Sequence, residues 1–259
     1  MTALGLRDRA WRYIVSVIEA ISSSLEYDKL ADTASLGLSR RVRIKAIALS
    51  LAAALSAGKQ VTLVDVGCGP GSSAEVAVAV AGKSGVYVVG IDPSALLLGI
   101  ARKRLRYYLH DVVVGVAENL PIRVCGADVV TAMYSARDFR NVVRGLINME
   151  RAARIAVAVG DIFLPRSLLK RIAVLLWVCF LAPAVAAVRG GSKGLLYKSL
   201  CETVKGWTSL EDLAEIAKKV SVMEHRVIME MIVKGLAVGG LGYVVLFFGG
   251  KCLGSYNRR

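Results

Sequence analysis

Three glycines at two-residue spacing, Gly67, Gly69 and Gly71, follow the acid Asp65 in the stretch Val64-Asp65-Val66-Gly67-Cys68-Gly69-Pro70-Gly71. Glycine at such points lets the backbone turn sharply and brings a ligand against bare main chain. Ser72 and an Ala/Val-rich segment come next, so a helix is predicted to open there and to add unpaired N–H groups. A second acid, Asp92, closes the following apolar run, Val86 to Ile91, and is followed by Pro93. A carboxylate in that place can accept from both hydroxyls of a ribose. Together these residues predict a crevice for a nucleotide-type cofactor at the carboxyl end of a parallel sheet. A dinucleotide suits it less well, because the third glycine of Gly-x-Gly-x-x-Gly would fall on Ser72. The competing reading is a tight turn in another α/β protein.

Such a crevice needs several strands that end on one side. Apolar runs alternate with amphipathic stretches from about residue 61 to 161, the βαβα pattern of a parallel sheet. Strands are predicted near 61–66, 86–91, 111–114, 128–133 and 155–159, with helices near 73–81, 94–107 and 140–152. Helical segments at about 5–24 and 40–57 precede the sheet. An apolar helix follows it, then helices near 195–205 and 209–219, the last opened by a capping box over Thr208-Ser209-Leu210-Glu211. The segments 220–231 and 242–248 read as a closing antiparallel hairpin that extends the sheet. No repeat, low-complexity tract or linker interrupts the chain. The expected organisation is one domain over 1–259.

A chain of 259 residues can bury a core that needs no staples. Its cysteines (68, 125, 179, 201 and 252) are scattered with no Cys-x-x-Cys, so reduced thiols in a cytoplasmic protein are expected. His110 and His225 form no recognisable ligand set with them, and no metal site is expected. The formal charge of +14 implies attraction to something anionic: nucleic acid, lipid headgroups or an acidic small molecule. Basic clusters fall at Arg40-Arg41-x-Arg43-x-Lys45, Arg102-Lys103-Arg104-x-Arg106 and Lys170-Arg171, each of which also reads as a solvated helix face. The single glutamine, Gln60, is a bias that accompanies thermophily. The run 172–188 is almost unbroken in its apolar character and lies at the lower end of the lengths that span a bilayer. Pro183 interrupts it, and a buried or interfacial helix is the expectation.

The Asp-x-Gly-x-Gly-x-Gly spacing resembles motif I of the class I S-adenosylmethionine-dependent methyltransferases. Five further segments resemble one of their families, the ubiquinone/menaquinone biosynthesis C-methyltransferases. Tyr27-Asp28-Lys29-Leu30-Ala31-Asp32-Thr33-Ala34-Ser35-Leu36-Gly37 is similar to that family's Tyr-Asp-x-x-Asn-Asp-x-x-Ser-x-Gly signature. Ala31 replaces its asparagine, and Ser39 and Val42 stand where it has histidine and tryptophan. Ala117-Glu118-Asn119-Leu120-Pro121 matches Ala-Glu-x-Leu-Pro, although Val116 replaces the polar residue that contacts adenine. Ala136-Arg137-Asp138 falls where the family has Arg-Asn-Val, with Leu146, Met149 and Arg151 in register, and aspartate replaces the asparagine. The Lys-Pro-Gly-Gly turn before the fifth strand is missing. Tyr197 to Val204 resembles Tyr-x-Tyr-Leu-x-x-Ser-Ile, and Gly242 to Lys251 resembles the family's closing segment.

The resemblance implies a Rossmann-like class I methyltransferase fold and S-adenosyl-L-methionine as the cofactor. Asp65, Gly67, Cys68, Gly69, Gly71, Asp92, Pro93, Ala117 and Glu118 would bind it. The substrate implied is the reduced ring of a prenylated quinone precursor. Arg137 would stabilise the developing phenolate or polarise a water, since a guanidinium stays protonated. Asp138 would take the proton, or else cap a helix. Tyr27 would orient the ring hydroxyl, or pack as an aromatic. The helices of about 1–57 would form part of the substrate cap, and about 162–206 an apolar lid. Basic clusters would hold the enzyme peripherally on an anionic membrane, no nucleic acid is expected, and a homodimer is allowed. Rival readings are a methyltransferase for another lipophilic or phenolic acceptor, an RNA methyltransferase, and an idle membrane-associated scaffold.

Overall fold

Each predicted strand joins a sheet of seven in the order β3-β2-β1-β4-β5-β7-β6. The computed structural model describes residues 8–22, 27–56, 58–221, 225–232, 240–248 and 252. Strands β1 (Val61–Val66), β2 (Val86–Asp92), β3 (His110–Val114), β4 (Ala127–Met133) and β5 (Ala153–Ile162) pair in parallel. The closing hairpin, β6 (His225–Ile232) and β7 (Leu241–Phe248), adds antiparallel with β7 beside β5. The central strands β1 and β4 are covered on both faces, which explains why their residues are mostly apolar. Strand order reverses between β1 and β4, and a crevice opens outside their carboxyl ends at that reversal.

Helices α3 (Leu38–Leu55) and α4 (Ser72–Ala81) pack on one face of the sheet, through Val42, Ile47 and Leu51 against Leu63 and Val88. On the other face, α6 (Val142–Ala152) and α11 (Leu210–Val220) bring Leu146, Met149 and Leu213 onto Val64, Val130 and Val157. Helix α5 (Ala95–Arg104) connects β2 to β3. The expected capping box is displaced by one residue: Ser209 is the N-cap of α11, its Oγ accepting from the Asp212 N–H at 3.0 Å. The missing turn before β5 is also explained. Ala153 caps α6 and already pairs with Ala127, so the helix runs straight into the strand.

Over the carboxyl ends of the strands lie α1 (Asp8–Ser22), α2 (Tyr27–Ala34) and the segment that follows β5. That segment holds α7 (Leu168–Leu176), a π-helical turn (Trp177–Leu181), α8 (Ala182–Gly190), α9 (Ser192–Leu195) and α10 (Ser199–Lys205). The first three make one helical rod. Leu168–Val188 is long and apolar enough to cross a membrane by length and composition, and only 33% of its most apolar 18-residue stretch is buried in the fold. Pro183 sits in the first turn of α8, where the wide turn before it accommodates the missing N–H. Val174, Val178, Ala182 and Ala186 face inward, whereas Leu168, Leu169, Ile172, Leu176 and Phe180 are exposed.

The expectation of reduced thiols is corrected by two disulfides, Cys125–Cys252 and Cys179–Cys201. The partners are 127 and 22 residues apart in sequence, so only folding brings them together and no spacing rule could have revealed them. The second ties the π-helical turn of the lid to α10. Cys68, buried in the glycine-rich loop, is a free thiol.

Candidate active site

The loop after β1 adopts backbone angles that side chains resist: φ is +68° at Gly67, +51° at Gly69 and +88° at Gly71. Gly67 is also held by close approach, since a Cβ there would lie 2.4 Å from the Cβ of Ser135. Ser135 in turn donates from Oγ to the carbonyl of Val66 at 2.7 Å. Gly69 differs, because a Cβ there would meet nothing within 4 Å. Its open side is the crevice, which Gly69 lines. Gly71 is the N-cap of α4, and Ser72 opens that helix.

Asp92 fastens the loop from the neighbouring strand. Its Oδ2 accepts from the Gly69 N–H and its Oδ1 from the Ser94 N–H, both at 2.9 Å. A carboxylate has lone pairs beyond these two, so each oxygen can still take a hydroxyl from the crevice. Burial raises the Asp92 carboxyl above its usual range, and the two backbone N–H groups oppose that rise. Asp65 plays a different part. Its Oδ1 accepts from Thr131 Oγ1 at 2.8 Å across the β1–β4 pair, and its buried Oδ2 has no partner among the described residues. Burial pushes its pKa up to about 7, against the pull of Thr131 and of the Arg43 charge.

Gly67, Cys68, Gly69, Asp92, Pro93, Ala117 and Glu118 therefore line one crevice, while Asp65 and Gly71 support it from behind. Val116 lines it as well, with its carbonyl accepting from the Asn119 N–H at 3.2 Å. Glu118 Oε1 accepts from the Asn141 N–H at 2.9 Å. Trp11, Ile14, Val15 and Ile18 of α1 close the crevice from above. The residues present fit a nucleoside carrying an aminoacyl tail. A carboxylate with spare lone pairs faces the ribose position, an open-sided glycine leaves room for the chain, and apolar walls flank the base.

A second, apolar pocket adjoins the first. Ala31, Ala34, Trp177, Val178, Ala182 and Leu200 line it, from α2 and the lid. Tyr134 and Arg43 line both cavities. Consecutive residues of the short turn after β4 divide between them: Arg137 lines the second pocket and Asp138 the first.

Arg137 is buried and engaged. It forms an ion pair with Asp161 Oδ1, donates from Nε to Thr203 Oγ1 at 3.2 Å, and lies 3.6 Å from Asp138 Oδ2. The expected role as an anion stabiliser must therefore compete with the fully buried Asp161. Asp138 is partly buried, and its buried Oδ1 has no hydrogen-bond partner among the described residues. Burial raises its pKa to about 6, against the attraction of Arg137. The alternative reading of Asp138 as a helix cap is overturned: the N-cap of α6 is Asn141, whose side chain accepts from the Arg144 N–H at 2.9 Å. Tyr27 begins α2, but its side chain lies outside the described residues.

Nothing in the sequence singles out Arg43, Tyr134, Asp161 and Thr203 as site residues. Arg43 was hidden in a basic cluster whose other arginines, Arg40 and Arg41, are exposed. Tyr134 carries a positive φ of 64°, a strain that marks a site but leaves no trace in sequence. Its hydroxyl donates to the carbonyl of Ser39 at 2.8 Å.

Comparison with known proteins agrees with this geometry. A methyltransferase of Thermotoga maritima, dependent on S-adenosylmethionine, superposes with a TM-score of 0.54 at 18% identity, over 90% of this chain and 99% of its own. Another from Aquifex aeolicus gives 0.50 at 14%, over 74% and 84%. The carbon methyltransferase CurJ gives 0.53 at 13%, over 74% of this chain and 49% of its own. Likeness at these identities establishes the class I methyltransferase fold. No curated protein sequence matches. The ubiE/COQ5 methyltransferase family matches residues 7–233, nearly the whole described fold. With its cofactor crevice and apolar second pocket in place, the chain belongs to the ubiE/COQ5 methyltransferase family and is an S-adenosylmethionine-dependent methyltransferase.

Proposed function

We propose that the enzyme C-methylates the reduced ring of a prenylated quinone precursor. The observation that carries this reading is the junction of the two pockets, where an acid with an orphaned oxygen meets an apolar chamber. The cofactor, when bound, supplies a methyl group already activated by its sulfonium. The protein must then place a ring carbon about 3–3.5 Å from that methyl and make it electron-rich. Asp138 Oδ1 is the group here that can accept the ring hydroxyl's proton. Tyr134 and Trp177 wall the ring position, and the inner face of the lid provides apolar cover for a tail. Helix α1 and the lid together exclude water, which keeps Asp138 desolvated. The direct test is a radiolabelled methyl-transfer assay that offers demethylated naphthoquinol, demethylated benzoquinol and bulk RNA side by side. Label in a quinol is the expected result, and label in RNA alone would overturn the proposal.

The same reading accounts for the outer face of the lid. Leu168, Leu169, Ile172, Leu176 and Phe180 form an exposed stripe along one side of the rod, beside the exposed Lys170 and Arg171. That combination suits the surface of an anionic bilayer, from which a prenylated ring could pass behind the helix. Attachment is proposed to be peripheral and largely electrostatic. Raising salt is expected to release the enzyme from anionic vesicles, because exposed charges are screened over about 8 Å at physiological ionic strength. Release by detergent alone would instead mean that the 168–188 rod inserts into the bilayer.

A further inference from the structure

Arg43 is a buried cation without a counter-charge in contact. It is 8% exposed, its Nε has no hydrogen-bond partner, and it forms no ion pair of its own among the described residues. Its guanidinium lies 5.4 Å from the centre of the Tyr134 ring, a weak contact for a desolvated charge. Nearby Asp65 feels its field, but burial raises that carboxyl's pKa to about 7, and one of its oxygens already accepts from Thr131. A buried charge in this state is costly, and the usual resolution is an anion that arrives with a ligand.

The cofactor crevice shows which anion. The charged side chains that line it are Asp92, Glu118, Asp138 and Arg43, three acids and one base. S-Adenosylmethionine carries a sulfonium, an ammonium and one carboxylate. Asp92 and Glu118 suit its cations and its ribose hydroxyls, while Asp138 is left to the acceptor's proton. For the carboxylate, Arg43 is the sole cation among the described residues that line the crevice. Arg43 stands beside Tyr134, just past β4, whereas Asp92 ends β2 on the other side of β1, a placement that suits the two ends of one ligand.

We propose that Arg43 is the receptor for the α-carboxylate of S-adenosylmethionine. It is thus a cofactor-binding residue contributed by a helix outside the glycine-rich motif. This rests on the identity of the cofactor and is independent of which acceptor is methylated. A phenolate of the acceptor, approaching from the second pocket, is the rival anion for the same guanidinium.

The test compares two ligands by calorimetry on the full-length protein. S-Adenosylhomocysteine has the aminoacyl end, whereas 5′-methylthioadenosine lacks it. In Arg43→Met, affinity for S-adenosylhomocysteine is expected to fall about 10- to 100-fold, the worth of a charge-assisted hydrogen bond, with methylthioadenosine binding unchanged. The unliganded variant should melt no lower than wild type, because an uncompensated buried charge has been exchanged for an apolar chain of similar length. Arg43→Lys should recover part of the lost affinity. Equal loss for both ligands would show a structural role and overturn the assignment. Unchanged affinity for both would also overturn it, and a raised acceptor KM in that variant would give the guanidinium to the phenolate. Binding of S-adenosylhomocysteine by the wild type keeps the cofactor assignment separate from either failure.

Discussion

Gly69→Val is expected to abolish S-adenosylmethionine binding while leaving the sheet folded. Gly69 lines the crevice and a Cβ there would have nothing within 4 Å, so the new side chain starts in open space rather than in packed protein. What it fills is the volume the ligand needs. The second cost is conformational: φ at Gly69 is +51°, and a side chain there is disfavoured by about 1–2 kcal/mol. For a protein of this size that corresponds to a fall in melting temperature of roughly 2–8 °C, which is far from unfolding. Calorimetry should show affinity reduced by about 1,000-fold or more, equivalent to about 4 kcal/mol, with the circular dichroism of the wild type retained. Wild-type affinity in this variant would remove the cofactor from the crevice. Gly67→Val is a poorer probe, since its Cβ would collide with Ser135 and disturb the fold itself.

What sequence could and could not show here has physical causes. Strands β1, β2 and β4 are legible to within a residue or so because burial demands predominantly apolar runs that end abruptly at the site. Strand β5 is longer at both ends than the expected 155–159: at its start the helix before it feeds directly into pairing with Ala127, and at its end Gly160, Asp161 and Ile162 go on pairing with β7. Helix α2 shows in the sequence only as a family signature. It is short and polar, and what holds it is remote: Asp28 accepts from Ser72 and pairs with Arg104 at 2.7 Å. Such ties have no local period to betray them. The same holds for the disulfides and for Asp161, whose partner Arg137 lies on a different strand end. The glycine loop announced itself because its residues must be contiguous. Arg43 did not, because a buried arginine and a solvated one look alike in a basic run.

Asp138→Asn is expected to cut turnover by about 100-fold or more, the lower range for loss of a general base, with cofactor affinity unchanged. The carboxyl is partly buried, one oxygen is orphaned, and its pKa is raised to about 6. The base-competent form therefore predominates above pH of about 6, and kcat/KM in the wild type should fall as pH drops below it. That acidic limb should vanish from the small residual activity of the variant, because asparagine does not titrate. Stability runs the other way. A carboxyl whose folded pKa is raised from 3.8 to about 6 gives its stabilising contribution below 3.8 and loses it as pH rises through 6. At pH 8 the asparagine variant should thus be no less stable than wild type, which separates lost chemistry from lost fold. Arg137→Ala cannot serve as the matching control. It would strip Asp161, fully buried, of its ion pair, and breaking such a pair costs about 3–5 kcal/mol. Asparagine is also the residue that the resembling C-methyltransferases carry at this place, so the variant tests whether this chain has acquired its own base. Near-wild-type turnover in Asp138→Asn, with the acidic limb intact, would show that it has not. The ring proton would then pass to water held beside Arg137.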